Sequence, residues 1–275
     1  MKYVIVTGAY GGMGKETVTA LRNEGYHVFA LDKKVSEKQD GITPIEVDVT
    51  DTESIEKAYE KIKQVTDDIY AIIHLAGIYT LDSLVEMSEE KFIKSFNVNV
   101  FGAFRINKTF VSMLKCGSKI IIMTSELAPL KPLPFTGIYA ITKSTLDNYA
   151  YSLRMEVQLL GISVSVIRSG AVKTNILADS MREIDKFCAN TKLYTYNSER
   201  FKKIVNGVET RNVSPKKIAN KILKITRSKR PKNVYKINRN PLLLTLNLFP
   251  ESFQTWVIKK ILTRKKLSKK DNDKR

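Results

Sequence analysis

Cysteine, histidine and tryptophan are scarce in this chain: 275 residues include two, two and one of them. Cys116 and Cys188 have no metal-like spacing, so no metal site is expected. So few thiols suit a reducing, cytoplasmic compartment, where both would be inert structural residues. Long apolar runs are missing too, and none approaches the roughly 20 residues needed to span a bilayer. No leader is expected, because the first strand-like run starts at Lys2. No solenoid repeat interrupts the chain, and no linker divides its first 240 residues. Acid is scarce in one place only. Residues 1–201 hold 24 Lys+Arg and 24 Asp+Glu, whereas residues 202–275 hold 22 and 4. The entire net charge of +18 therefore belongs to the C-terminal quarter.

Apolar β-branched runs alternate with helical stretches along the rest of the chain. This pattern predicts an α/β fold with a doubly wound parallel sheet of about seven strands, covered by helices on both faces. Residues 2–7 read as a buried strand, and residues 15–24 as a helix closed by Gly25. Between them lies Thr7-Gly8-Ala-Tyr10-Gly11-Gly12-Met13-Gly14. A strand, a glycine turn and a helix form the context of a dinucleotide-binding loop: glycines let the backbone approach a pyrophosphate, and the helix start offers free N–H groups. A second strand, 27–31, ends at Asp32, placed to accept hydrogen bonds from ribose hydroxyls and to repel a 2′-phosphate. NAD is therefore favoured, although Lys33 and Lys34 leave NADP open. Thr50-Asp-Thr-Glu53 reads as a capping box before a helix over 52–64, and Ser214-Pro215 as the start of another ending near Arg227.

Tyr139-Ala-Ile-Thr-Lys143 places a phenol and an ammonium one turn apart on one helix face. The ammonium is expected to lower the phenol pKa, which is about 10 when unperturbed. Such a phenol can exchange a proton with an alcohol or a carbonyl. The pair alone is weak evidence, since charges at helical spacing are commonly surface decoration.

Taken together, Thr7-Gly8 with Gly12 and Gly14, Ser125, Tyr139 and Lys143 resemble the short-chain dehydrogenase/reductase family. Further positions agree: Asp48-Val49 after a strand over 43–47, Ala76-Gly77 after one over 70–75, Asn99 in a central helix, and a strand over 120–125 ending in Ser125. The segment carrying Gly170, Val172 and Thr174 matches the part of the family that closes over a nicotinamide. The resemblance covers residues 2–240 and implies one Rossmann-fold domain. It implies that Tyr139 is the acid/base, that Ser125 orients the substrate oxygen, and that Lys143 holds the nicotinamide ribose. Asn99 would shape its helix and hold a water. It further implies a homodimer or homotetramer through the helices near Asn99 and Tyr139. Two departures stand out, His74 in place of an asparagine and Ser169 in place of a proline. His74 reads as a structural residue.

Residues 175–212 correspond to a substrate lid in the family, and here carry Ile176, Leu177, Met181, Phe187, Leu193, Tyr194, Tyr196 and Phe201. An apolar lid predicts a bulky hydrophobic alcohol or ketone, such as a hydroxysteroid, bile acid or retinoid. Residues 241–263 read as two apolar or amphipathic helices, and 264–275 as a basic, disordered tail. The region is similar to the C-terminal parts of hydroxysteroid and retinol dehydrogenases. Leu-rich helices, Trp256 and a lysine run suit packing on the body, or peripheral contact between residues 241–275 and an anionic membrane face. No aromatics are interleaved in the lysine run, which argues against nucleic acid. Two alternatives stay open: a 3-oxoacyl thioester reductase docking an acidic carrier protein, and a non-catalytic dinucleotide-binding or membrane scaffold.

Overall fold

The structure, a computed structural model, describes residues 1–209 and 212–263, without the side chains of 175–180 and 206–209. Seven strands form one parallel sheet: β1 (Lys2–Thr7), β2 (Tyr26–Asp32), β3 (Ile42–Glu46), β4 (Ile69–His74), β5 (Leu114–Met123), β6 (Ser163–Ser169) and β7 (Val234–Ile237). Their spatial order is β3-β2-β1-β4-β5-β6-β7. Both faces are buried, which explains strands as uniformly apolar as Tyr3-Val-Ile-Val6. Successive side chains alternate between the faces. Val4, Val6, Ala71 and Ile73 pack with α1 (Gly12–Asn23) and α8 (Pro215–Arg227) through Val18, Leu21, Ile218 and Ile222. Ile5, Ile72 and Ile120 pack on the other face with α2 (Thr52–Lys63), α4 (Gly102–Phe110) and α5 (Gly137–Val157).

The chain reverses its winding between β1 and β4, and the crevice at their C-terminal ends is the expected binding place in such a sheet. The central helix is interrupted there. After α3 (Glu89–Phe96), residues Asn97–Phe101 form a π-helical turn, and Asn99 is buried within it. Such turns commonly mark functional sites.

A third core lies beyond the sheet edge. Phe187 of α6 (Asn175–Asn190), Phe201 of α7 (Thr195–Glu209) and Leu262 of α10 (Glu251–Thr263) meet Leu81 and Phe135. Phe135 holds a positive φ of 65°, rare for a bulky residue, and stacks within 4.6 Å of Phe187. The predicted lid is therefore a helix pair with its own core. Phe187, Tyr194 and Phe201 join that core, whereas Leu193 and Tyr196 face solvent. The side chains of Ile176 and Leu177 and residues 210–211 lie outside the described residues, as does the predicted basic tail, 264–275.

The C-terminal helices pack on the body. Asn240 caps α9 (Pro241–Leu246), Lys131 N–H donates to Asn247 Oδ1 at 2.8 Å, and Lys131 pairs with Glu251. One predicted cap is corrected. The N-cap of α2 is Asp51, which accepts from Glu53 N–H at 3.0 Å, because the Thr50 hydroxyl is committed to Asp48 at 2.7 Å. Ser214 and Pro215 open α8 as predicted.

Candidate active site

Three glycines of the loop after β1 are dictated by contact. Gly8 has φ +67°, and a Cβ there would lie 2.6 Å from the Ala76 nitrogen. A Cβ on Gly14 would lie 2.1 Å from the Gly8 carbonyl oxygen, and one on Gly12 would lie 2.7 Å from Thr174 Cβ. The loop is thus pressed between β4 and the segment after β6. Helix α1 starts at Gly12, earlier than the predicted residue 15, with no side-chain cap and no acid in its first turn. The N–H groups around Gly12, Met13 and Gly14 therefore present an uncompensated positive end to the crevice.

Asp32 stands beside this loop. Its Oδ2 accepts from Tyr10 N–H and its Oδ1 from Lys33 N–H, each at 2.8 Å. The Lys33 ammonium is turned aside to Asp48 at 2.8 Å. Asp48 also accepts from the N–H and hydroxyl of Thr50, and its carboxyl lies below the usual range: burial raises it, but these contacts prevail. Val49 packs against Gly102. The Tyr10 hydroxyl is buried with no partner among the described residues. An anion-seeking helix start, glycines with no room for a side chain, a carboxylate at the end of β2 and an orphan hydroxyl fit a dinucleotide.

Across the crevice, α5 sets Tyr139 and Lys143 on one face, as the spacing predicts. The Lys143 Nζ lies 5.7 Å from the Tyr139 ring centroid and donates to the Met123 carbonyl at 3.4 Å. Ser125, two residues past β5, lines the same cavity as Tyr139 and acts to lower the pKa of its phenol. Asn99 Oδ1 accepts from Ile78 N–H at 2.8 Å, while its amide donates to the Ile78 carbonyl at 3.0 Å and to Thr142 Oγ1 at 3.1 Å. Thr142 in turn donates to the Tyr139 carbonyl at 2.8 Å. Gly77 lies against both Asn99 and Lys143. The structure thus brings together Asn99, Ser125, Tyr139, Lys143 and Gly77.

The protonation expectation needs correction. Burial pushes the Tyr139 phenol up to about 12, more than Ser125 lowers it. Burial also pulls Lys143 down to about 8. Desolvation outweighs the pair's attraction, so the phenol stays protonated at neutral pH and the lysine is the group that titrates nearby. A protonated, buried phenol beside a hydroxyl is suited to giving a proton to a carbonyl oxygen.

Tyr139, Ser125 and Lys143 open on a cavity of about 210 Å³. Gly170, Val172 and Thr174 line it on one side, and Leu127, Leu133, Phe201, Ile204, Val205 and Leu243 make its apolar wall. Sequence reasoning passed over two further residues. Tyr79 packs on Tyr139 with centroids 4.7 Å apart, and Glu126 is a buried carboxylate in the cavity lining. Glu126 had a signal, a lone acid between a strand-end serine and an apolar stretch. Tyr79 had none.

His74 is structural. Its Nε2 meets Asn107 Oδ1 at 2.8 Å, and Asn107 donates to the Tyr149 hydroxyl at 3.1 Å. Burial lowers its pKa to about 4, so the ring is neutral. This link ties β4 to α4 and α5 in place of the family's asparagine.

Several known proteins resemble this chain. The family model described as short chain dehydrogenase matches residues 2–185. An uncharacterized oxidoreductase, YbbO, of Escherichia coli K12 is 32% identical over 179 residues, 63% of this chain and 66% of that protein. The 3-ketodihydrosphingosine reductase of Bacteroides thetaiotaomicron is 28% identical over 229 residues, 83% of this chain and 84% of that enzyme. Estradiol 17-beta-dehydrogenase 2 of Mus musculus is 31% identical over 192 residues, 64% of this chain and 49% of that enzyme. The chain therefore spans about two thirds of the bacterial oxidoreductase and half of the mouse enzyme.

Proposed function

This chain belongs to the short-chain dehydrogenase family, and from that premise we propose that it interconverts a secondary alcohol and a ketone on a bulky lipophilic substrate. The observation that carries the reading is one buried phenol that opens, with Ser125 and Lys143, onto an apolar cavity. In the reducing direction Tyr139 gives its proton to the carbonyl oxygen, and Ser125 donates a second hydrogen bond to the same oxygen. Lys143, titrating near 8, restores the proton to the phenol. Asn99 fixes the loop at Ile78 and the start of α5, and so keeps the cavity wall in register. A bound nicotinamide would supply or receive the hydride. Its dinucleotide would be held by Gly8, Tyr10, Gly11, Gly12, Met13 and Gly14, by Asp32, Asp48 and Val49, and by Ala76 and Gly77. Tyr139 and Lys143, with Gly170, Val172 and Thr174, would complete its site.

NAD is the preferred form in this reading, because Asp32 faces the ribose position and the Lys33 ammonium is already paired with Asp48. A lipophilic substrate is supported by the apolar wall of Phe201, Ile204, Val205 and Leu243. The relatives named for 3-ketodihydrosphingosine and for estradiol point the same way. Hydroxysteroids, retinoids, long-chain keto and hydroxy lipids and 3-oxoacyl thioesters, each offered with NAD(H) and NADP(H), test it by absorbance of the reduced nicotinamide. Turnover of lipid ketones or alcohols is expected. Turnover confined to carrier-linked thioesters would move the assignment to the carrier-dependent reductase, and no turnover of any class would favour the scaffold.

Peripheral membrane contact belongs to the same reading. Helix α10 buries Gln254 and Leu262 and turns Phe253 and Trp256 outward, with Phe249 4.8 Å from Phe253 and the Lys260 Nζ 4.8 Å from Trp256. Leu242 and Leu248 are also exposed. An aromatic face flanked by lysines suits an anionic lipid surface. No helix among the described residues is long and apolar enough to cross a membrane. Co-flotation with anionic but not with neutral vesicles is the expected result.

A further inference from the structure

Glu126 is the one acidic side chain in the cavity lining, and it is 8% exposed. A buried carboxylate is costly unless its oxygens are satisfied. Its Oε2 accepts from Asn240 N–H at 2.5 Å. Its Oε1 has no hydrogen-bond partner among the described residues. Gly170 makes room for that oxygen, since a Cβ there would lie 2.8 Å from it. The backbone is equally fixed, with Glu126 N–H donating to the Ser169 carbonyl at 2.8 Å. Burial pushes the carboxyl up, while the Asn240 N–H and the Arg239 charge pull it back. The catalytic scheme above gives Glu126 no task.

We infer that Glu126 is a specificity residue whose free oxygen accepts a hydrogen bond from an O–H or N–H on the substrate carbon next to the reacting one. Ser125 and Glu126 are consecutive, with Cα atoms about 3.8 Å apart. Both line the same cavity, so a substrate oxygen held by Ser125 brings its neighbouring substituent toward Glu126. The rest of the wall is apolar, so an unsubstituted ketone would leave the carboxylate oxygen dry and unpaired, and would bind less well for that reason. The substrate class is then a lipophilic α-hydroxy or α-amino ketone, or the matching vicinal diol or amino alcohol.

The inference rests on the oxidoreductase reading, and its test separates the two. A long-chain secondary alcohol, its vicinal diol and its vicinal amino alcohol, of equal chain length, are oxidised by the wild-type enzyme with NAD. At least one donor-bearing substrate should exceed the plain alcohol by about tenfold in kcat/KM, the effect of a hydrogen bond to a charged group. The diol and amino arms distinguish a neutral donor from a cationic one. In Glu126→Gln the Asn240 N–H requires the amide oxygen, which leaves the NH2 facing the cavity. The kcat/KM ratio should then fall several-fold, because a charged acceptor is replaced by a neutral donor. Equal rates on all three substrates in the wild type, or a ratio unchanged in E126Q, overturn the inference and leave the oxidoreductase reading intact. Failure to oxidise any of the three while other alcohols are oxidised overturns the inference alone. Failure with every alcohol and ketone class removes both.

Discussion

The two sides of the crevice are built on different terms. On the β1–β2 side, backbone approaches backbone. Gly8, Gly12 and Gly14 are fixed by contacts that no side chain could share, and Asp32 is held by two N–H groups. On the β6–β7 side, bulk decides, as Phe201, Ile204, Val205 and Leu243 fill a wall that other apolar residues could also fill. The first side is a steric template with few solutions, and the second is a volume with many. Chemistry common to a family belongs on the first, and substrate choice on the second.

Substitutions sharpen this contrast, and apart from loss of the phenol itself the largest effect is expected at the template. Gly14→Ala places a methyl 2.1 Å from the Gly8 carbonyl oxygen. Overpacking of this kind should weaken NAD binding by about 100-fold, measured by fluorescence titration of NADH. Near-normal affinity would show that the loop yields. Next comes His74, which belongs to the scaffold shared by both sides. Its folded pKa of about 4 lies below its ordinary 6.5, so the unfolded chain binds the extra proton. Its contribution is full above pH 6.5 and is lost as pH falls toward 4, amounting to about 3 kcal/mol. Denaturant titrations across that window should show His74→Gln with a flatter pH slope than wild type. An identical slope would put the acid sensitivity elsewhere.

Smaller effects are expected at the exposed aromatic face and at the end of β2. Trp256→Ser removes the most exposed ring of the aromatic face. It should lower partition into anionic vesicles about tenfold, in line with burial of one large apolar side chain. Turnover of a water-soluble substrate should be unchanged. Asp32→Ser should narrow the preference for NAD over NADP by about fivefold, since one hydrogen-bonding carboxylate is lost. A preference that is unmoved, or already for NADP, would assign the choice to Lys33 and Lys34.

The same contrast explains what could be read from the chain. The glycine loop, Asp32, Asn99, Ser125, Tyr139 and Lys143 were legible because each needs one residue type at one place along a strand or helix. Strand runs were legible because burial on both faces demands continuous apolar residues. Protonation was not. Spacing places Lys143 beside Tyr139, but the desolvation that dominates both groups depends on Met123, Tyr79 and Gly77, which arrive from other elements. Asp51 took the cap from Thr50 because Asp48, two residues earlier, claimed the hydroxyl. The third core was hidden as well: it joins Leu81, Phe135, Phe201 and Leu262, which no local period connects.

The central claim is that one buried phenol carries the proton. Single-turnover kinetics of Tyr139→Phe, with NADH binding measured on the same preparation, test it most directly. General acid catalysis by a positioned side chain predicts a loss of about 1,000-fold in the chemical step, with NADH affinity within about twofold of wild type. A chemical step that keeps a tenth or more of the wild-type rate would contradict the account and move the proton to another group.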